Sequence, residues 1–298
     1  MTPGRRVRYR AEYLLARSGL ALMDGLSLGS ATRFAVSLGR IWFAVHGSRR
    51  RLAVSNILGA GLAADHREAV SIARASFSHF ALTLVEALKL REVVPPDRWR
   101  DRVEWVAPPE TDELLGTPGK GAILLTGHVG SWVVAGYAIS RMKTVNGIAR
   151  PPNNPHTNRI MQERLLFDGL NLMPKHDANP LRLLAVPKRG EILALLFDQF
   201  AVGQSVNINF FGRPAATYAS AALLHLVGGA PIVFGSCIRT EPQRFRLELS
   251  EPLRYPRTGD RDADVRNALT DLTARLESVV RAHPEQYLWA HRRWRVVG

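Results

Sequence analysis

The chain has little cysteine, little lysine, few acids and no long apolar run. One cysteine, Cys237, stands among 298 residues, which excludes a disulfide framework and a cysteine-ligated zinc cluster. It fits a reducing compartment. Five lysines leave 35 arginines among the 40 basic residues. Only 26 acids oppose them, so the net charge is +14. Such a chain suits an anionic partner: phosphate-bearing lipid, a membrane surface or nucleic acid. Glycine-rich nucleotide loops, a metalloprotease HExxH and a GxSxG elbow are all missing. The histidines show no metal-ligand spacing, and no nucleic-acid motif interleaves basic with aromatic residues. Disorder is excluded for most of the chain by its 46% apolar content.

The charge is concentrated at the start. Residues 1–60 hold ten arginines against Glu12 and Asp24, which is +8 of the +14. Apolar stretches at Leu14–Leu28 and Phe34–Val45 lie between the basic clusters. Arg17, Asp24, Arg33 and Arg40 interrupt them, so neither offers the roughly 18 apolar residues of a spanning helix. Two amphipathic helices on an anionic leaflet are the expectation, with ordinary core helices or one tilted span over about 11–30 as alternatives.

Beyond residue 60, strand patterns alternate with helix patterns. Residues 66–91 carry apolar side chains at helical spacing, and Pro95 and Pro96 end the run. Strands are expected at 103–106, 122–125, 144–149, 191–196, 231–238 and 245–249, with helices at 132–139, 159–167, 181–185, 218–227 and 264–283. The prediction is a single layered α/β domain over 61–298 with a largely parallel mixed sheet flanked by helices. The membrane-associating helices of 1–60 precede it. Functional loops belong at the strand carboxyl ends.

His128 is the chemical candidate. It follows the buried Ala122–Leu125 strand and lies between Gly127 and Gly130. A histidine at such a strand-to-helix junction can face a cleft with backbone N–H groups nearby, a place for a general base and an oxyanion stabiliser, and Gly130 and Ser131 are candidate substrate-binding residues there. A structural histidine is the competing reading. Cys237, inside an apolar strand, reads as a small core residue.

Several segments in order resemble the bacterial lipid A late acyltransferases, relatives of phosphatidylinositol mannoside acyltransferases in the glycerolipid acyltransferase superfamily. Gly127-His-Val-Gly-Ser-Trp is similar to their histidine block. Arg150-Pro-Pro-Asn-Asn-Pro, Asp198-Gln199 and Phe210-Phe-Gly-Arg-Pro-Ala resemble later blocks. Pro284-Glu-Gln-Tyr-Leu-Trp-Ala-His-Arg-Arg-Trp resembles the closing block, and Arg51-Leu-Ala-Val-Ser-Asn-Ile an early one. The likeness runs over roughly residues 5–295.

The resemblance implies a membrane enzyme that moves a fatty acyl group from acyl carrier protein or coenzyme A to a hydroxyl of an anionic membrane lipid. It implies the cytoplasmic face of the inner membrane, no cofactor, no metal and no nucleic acid. His128 would be the general base. Asp198 could orient it or pair with an arginine, or simply cap a strand end. Arg150, Arg159 and Arg164 could clamp a phosphate headgroup or lie solvated, since guanidinium forks suit phosphate. Phe211, with Phe210, would shape the cleft or join the core. His291, Arg292 and Arg293 would pack the fold or touch the membrane.

The family's orienting acid, five residues after the histidine, is Val133 here. Three readings follow: another group such as Asp198 or a backbone carbonyl holds His128, the enzyme is slow or specialised, or the chain is a non-catalytic lipid-binding or scaffolding homologue.

Overall fold

A computed structural model describes residues 3–165, 169–201, 203 and 205–294. Helices α1 (Pro3–Gly25), α2 (Leu28–Val45), α3 (Gly47–Gly59), α4 (His66–Leu88) and α5 (Leu90–Val93) come first. The layered part follows as β1 (Val103–Val106), α6 (Pro109–Gly116), β2 (Ala122–Thr126), α7 (Trp132–Ser140), β3 (Val145–Ala149), α8 (Pro155–Leu165), β4 (Leu170–Pro174), α9 (Pro180–Lys188) and β5 (Ile192–Leu196). A hairpin of β6 (Ser205–Phe210) and β7 (Arg213–Tyr218) precedes α10 (Ser220–Gly228), β8 (Ile232–Glu241), β9 (Arg244–Leu249) and α11 (Arg261–Ala282).

Seven strands form one sheet in the order β1-β9-β8-β2-β5-β3-β4. β9 runs antiparallel to β8 and parallel to β1, and the other neighbours are parallel. The expected parallel mixed sheet with flanking helices is therefore present. Central strand β2 is buried at all five positions, as a strand covered on both faces must be. Two apolar clusters cover the sheet. One gathers α3, α4 and α11 side chains such as Ile57, Phe77 and Leu272, and the other α7 side chains such as Val134 and Tyr137.

Three strands escape the sequence reading. β6–β7 is a hairpin where a loop was expected, although Val206, Ile208 and Phe210 alternate with Asn207 and Asn209 at the period of two that marks a strand. β4 is an edge strand containing Asn171 and Pro174, both poor strand formers. The helix expected at 159–167 starts earlier, at Pro155, and residues 166 and 167 lie outside the described residues.

α2 lies along α4. Gly39 makes this possible, since a Cβ there would fall 2.5 Å from the Ser78 Cα. Phe43 meets Phe77 edge-on at 5.3 Å beside that contact. Among the described residues, no helix is long and apolar enough to cross a membrane. Leu14, Leu15 and Leu22 of α1 and Phe34, Leu38 and Ile41 of α2 are nonetheless exposed.

Candidate active site

The parallel register of β2 and β5 creates the site. Thr126 stands opposite Leu196, so His128 and Asp198, each two residues further on, emerge level with one another at the carboxyl edge. Gly127 lets the chain turn there, because a Cβ at that position would sit 2.7 Å from Leu276 Cδ1 and 3.3 Å from the Asp198 carboxyl group. Gly130 turns the loop again with φ +62°, and a Cβ there would lie 2.0 Å from the Cys237 carbonyl oxygen. Only glycine suits both demands.

Asp198 grips His128 twice. Its Oδ1 lies 2.8 Å from the ring Nδ1, and its Oδ2 accepts the His128 backbone N–H at 2.8 Å. The carboxylate is 2% exposed and the imidazole 17%. Burial opposes the charge on Asp198, yet the His128 ring and amide, helped by the Arg293 guanidinium, hold its carboxyl below the usual range. An ionised carboxylate only accepts, so Nδ1 carries the proton and the Nε2 lone pair faces outward. The side-chain amide of Gln199 meets that lone pair, 3.2 Å away. Trp132 stands edge-on to the imidazole at 5.0 Å.

Val133, in the first turn of α7, packs half-buried against the apolar cluster on its side of the sheet. The carboxylate that the family pattern places on that helix is thus absent, while another reaches the same ring nitrogen from the end of β5.

Gly130 and Ser131 do not present free amides. The Gly130 N–H donates to the Gln286 carbonyl at 3.0 Å and the Ser131 N–H to the Cys237 carbonyl at 2.7 Å. These residues fix the loop, with both amides engaged by backbone carbonyls.

A second polar cluster braces the loop from behind. His79 Nε2 lies 3.0 Å from the Gly130 carbonyl oxygen, and the Arg239 guanidinium meets His79 Nδ1 at 2.7 Å. Arg239 only donates, so Nδ1 accepts and Nε2–H points at the loop. Glu86 holds the same guanidinium in a bidentate, buried ion pair. Burial, then the Arg239 cation, push the His79 ring down to about 3, against the pull of the Gly130 carbonyl. His79 thus folds neutral. Between the unfolded value near 6.5 and about 3, the unfolded chain binds more protons than the folded one. Stability is full above pH 6.5 and falls on acidification, by about 2 kcal/mol at pH 5 from this residue alone. Urea unfolding of wild type and His79→Gln at pH 7 and pH 5 checks this. The wild-type loss should exceed the variant's, and equal losses would contradict it.

The closing block is the third support. The Leu288 N–H donates to the His128 carbonyl at 3.1 Å, and the Phe200 N–H to His291 Nε2 at 2.9 Å. Burial lowers the His291 ring despite the nearby Asp198 charge, which keeps it a neutral acceptor. Burial and the Asp198 charge push the Tyr287 hydroxyl well above its ordinary value. Arg293, 2% exposed, donates to Ala216 O and Thr217 Oγ1 at 2.6 and 2.7 Å. Asn56, from the early resembling segment, donates to the carbonyls of Trp289 and His291, both at 2.9 Å.

The remaining candidates are dispersed. Arg150 follows β3, two strands from β2 at the same carboxyl edge, and is exposed. Arg159 is exposed on α8. Arg164 forms a two-pronged pair with Asp24 of α1, at 2.8 and 2.5 Å, and its hydrogen bonds hold the Asp24 carboxyl below the usual range. Phe211 sits at the β6–β7 turn with φ +50°, 8% exposed, its N–H donating to Glu277. It belongs to the core under the site.

An apolar cleft of about 760 Å³ opens between α1, α2, α4 and α8, walled by Leu20, Phe34, Leu38, Trp42 and Leu84, with Arg164 at its margin. Aromatic rings link it to the imidazole. Trp42 and Phe80 are 5.7 Å apart, Phe80 and Trp132 6.3 Å, and Trp132 and His128 5.0 Å.

No curated protein matches the chain. Among solved structures, it is similar to the 1-acyl-sn-glycerophosphate (LPA) acyltransferase PlsC from Thermotoga maritima, at 11% identity and a TM-score of 0.38, over 85% of this chain and 97% of that one. The family model for bacterial lipid A biosynthesis acyltransferases matches residues 6–296. With nearly its whole length matched, the chain belongs to that family of acyl-transferring enzymes.

Proposed function

We propose that this protein moves a fatty acyl chain from an acyl thioester, on acyl carrier protein or coenzyme A, to a hydroxyl of a membrane glycolipid or phospholipid such as a lipid A precursor. The observation that carries this reading is the Asp198 carboxylate on His128 Nδ1. It makes Nε2 the acceptor that can take the proton of an acceptor hydroxyl once the Gln199 amide gives way, and it stabilises the imidazolium that results. The oxygen attacks the thioester carbonyl carbon, the tetrahedral intermediate collapses, and the thiolate leaves with the proton from Nε2. Asp198 does the work that an acid at position 133 would do.

The apolar cleft supplies the acyl-chain site in this reading. Each buried methylene contributes about 0.8 kcal/mol, so a long chain gains several kcal/mol from walls of leucine and aromatic side chains. The ring contacts from Trp42 through Phe80 and Trp132 put the wall of that cleft and the imidazole in one packed series, so in this reading the thioester end lies beside Trp132. Arg150 is the headgroup arginine the arrangement favours, exposed at the same edge as the dyad. Arg164 is engaged by Asp24 and serves the helix packing. The arginine-rich start, with exposed Leu14, Leu15, Phe34 and Ile41, supports seating on an anionic membrane face, which this reading assigns to the cytoplasmic side of the inner membrane.

Purified protein in detergent, given an acyl thioester and a lipid acceptor, should transfer acyl groups. His128→Ala should lower kcat about 100- to 10,000-fold, the usual worth of a positioned base. A variant as fast as wild type removes His128 from the mechanism. Val133 favours a second reading, a lipid-binding homologue without turnover. That reading requires lipid binding with no transfer from any thioester.

A further inference from the structure

Acyl transfer places a negative charge on the thioester carbonyl oxygen, and a donor must meet it within about 3 Å. The nearby loops have used many of their own amides. His128 N–H is held by Asp198, Gly130 N–H by Gln286, Ser131 N–H by Cys237 and Phe200 N–H by His291. The backbone pairs that usually line an oxyanion site are therefore committed to the fold at these positions.

One side-chain amide touches the reacting nitrogen. Gln199 Nε2 lies 3.2 Å from His128 Nε2, on a half-buried residue directly after the orienting Asp198. With Nδ1 protonated toward Asp198, His128 Nε2 is an acceptor, so Gln199 presents its N–H₂ to the ring. We infer that the Gln199 carboxamide is the oxyanion donor of the acyl-transfer step, resting on the base until substrates arrive. This rests on the proposed acyl transfer. The acceptor hydroxyl must occupy the position beside Nε2 that the amide now fills. The displaced amide stays within reach, on a residue whose neighbour is fixed by two hydrogen bonds. When the hydroxyl oxygen bonds to the carbonyl carbon, its proton passes to His128 Nε2. The carbonyl electron pair moves onto oxygen, where the Gln199 N–H donates to it. Collapse restores the carbonyl, breaks the carbon–sulfur bond and returns the proton to the leaving sulfur.

The experiment compares wild type with Gln199→Met, which keeps the length without a donor, and Gln199→Glu, which keeps the length but offers an anion. For each, kcat and KM are measured with the thioester that supports wild-type turnover. Binding is measured for two analogues of that thioester: its trifluoromethyl ketone, which adds water across the carbonyl to give a tetrahedral gem-diol that mimics the intermediate, and its unreactive thioether. The loss of one oxyanion donor lowers kcat by about 100- to 1,000-fold. Both variants should show that loss with little change in KM. The ketone should bind more weakly by a similar factor, and the thioether as in wild type. Variants within threefold of wild type overturn the inference, and so does an equal weakening of ketone and thioether, which marks a merely structural residue. A wild type that transfers nothing from any thioester overturns the functional reading and this inference together. An active wild type with unaffected variants overturns this inference alone.

Discussion

Asp198→Asn should turn over about 10⁴-fold more slowly than wild type, the loss seen when the orienting acid of a serine-protease triad becomes an amide. The cause is the tautomer. An asparagine amide can still face Nδ1, but its N–H₂ favours an imidazole that accepts there and carries its proton on Nε2. The lone pair then points away from the acceptor hydroxyl. Asp198 also holds the His128 backbone N–H through Oδ2, and an asparagine oxygen can keep one of the two bonds at most with good geometry. The fold should survive, since the substitution is isosteric and removes a buried charge. Steady-state rates of the two proteins check this. A drop below tenfold would mean that the carboxylate does not orient the base.

Arg239→Met should cost about 3–5 kcal/mol of stability, because it strands Glu86 as a buried, unpaired carboxylate. Burial pushes the Glu86 carboxyl up even with the Arg239 fork present, so the group depends on that partner. His79 loses the donor that sets its tautomer, and with it the directed bond to the Gly130 carbonyl. Arg239→Met combined with Glu86→Leu should recover part of the loss, since an apolar pair replaces the ion pair and no buried carboxylate is stranded, while His79 Nδ1 still lacks its donor. Urea unfolding midpoints of the single and double variants measure both effects. A single variant within 1 kcal/mol of wild type would contradict the role given to the pair.

Some of this was legible in the sequence. The Ala122–Leu125 run ending at Gly127-His128 reads as a strand delivering a histidine to an edge, and the strand ending at Asp198 reads the same way. Their meeting is legible only as one option that the family resemblance offers, and local pattern alone does not give it. It depends on β5 lying next to β2 with Thr126 level with Leu196, a register that local pattern does not specify. His79, Thr83 and Glu86 went unnoticed inside a helix read for its apolar face, although i, i+4 and i+7 spacing sets them on one side. The available signal was a histidine, a threonine and a glutamate sharing one side of the helix's carboxyl-terminal half, where apolar residues otherwise dominate. Their partner Arg239 lies more than 150 residues away in the chain.

The arginine excess also changes meaning. Arg239 and Arg293 are buried against the fold's own acceptors, Arg49 holds the Ala290 carbonyl at 2.9 Å, and Arg164 pairs with Asp24. A bare charge count does not separate these four from arginines that face an anionic partner, and their contacts here are internal. Residue type predicts the preference for an anion or carbonyl, and only the fold decides whose it is.

The central claim is that a carboxylate outside α7 keeps His128 a working base although position 133 is valine. Initial rates of acyl transfer by purified wild type, His128→Ala and Asp198→Asn, in one detergent with one thioester donor, test it most directly. Wild type should turn over, and both variants should lose at least 100-fold. A wild type that binds lipid but transfers no acyl group, or an Asp198→Asn protein as fast as wild type, would contradict it.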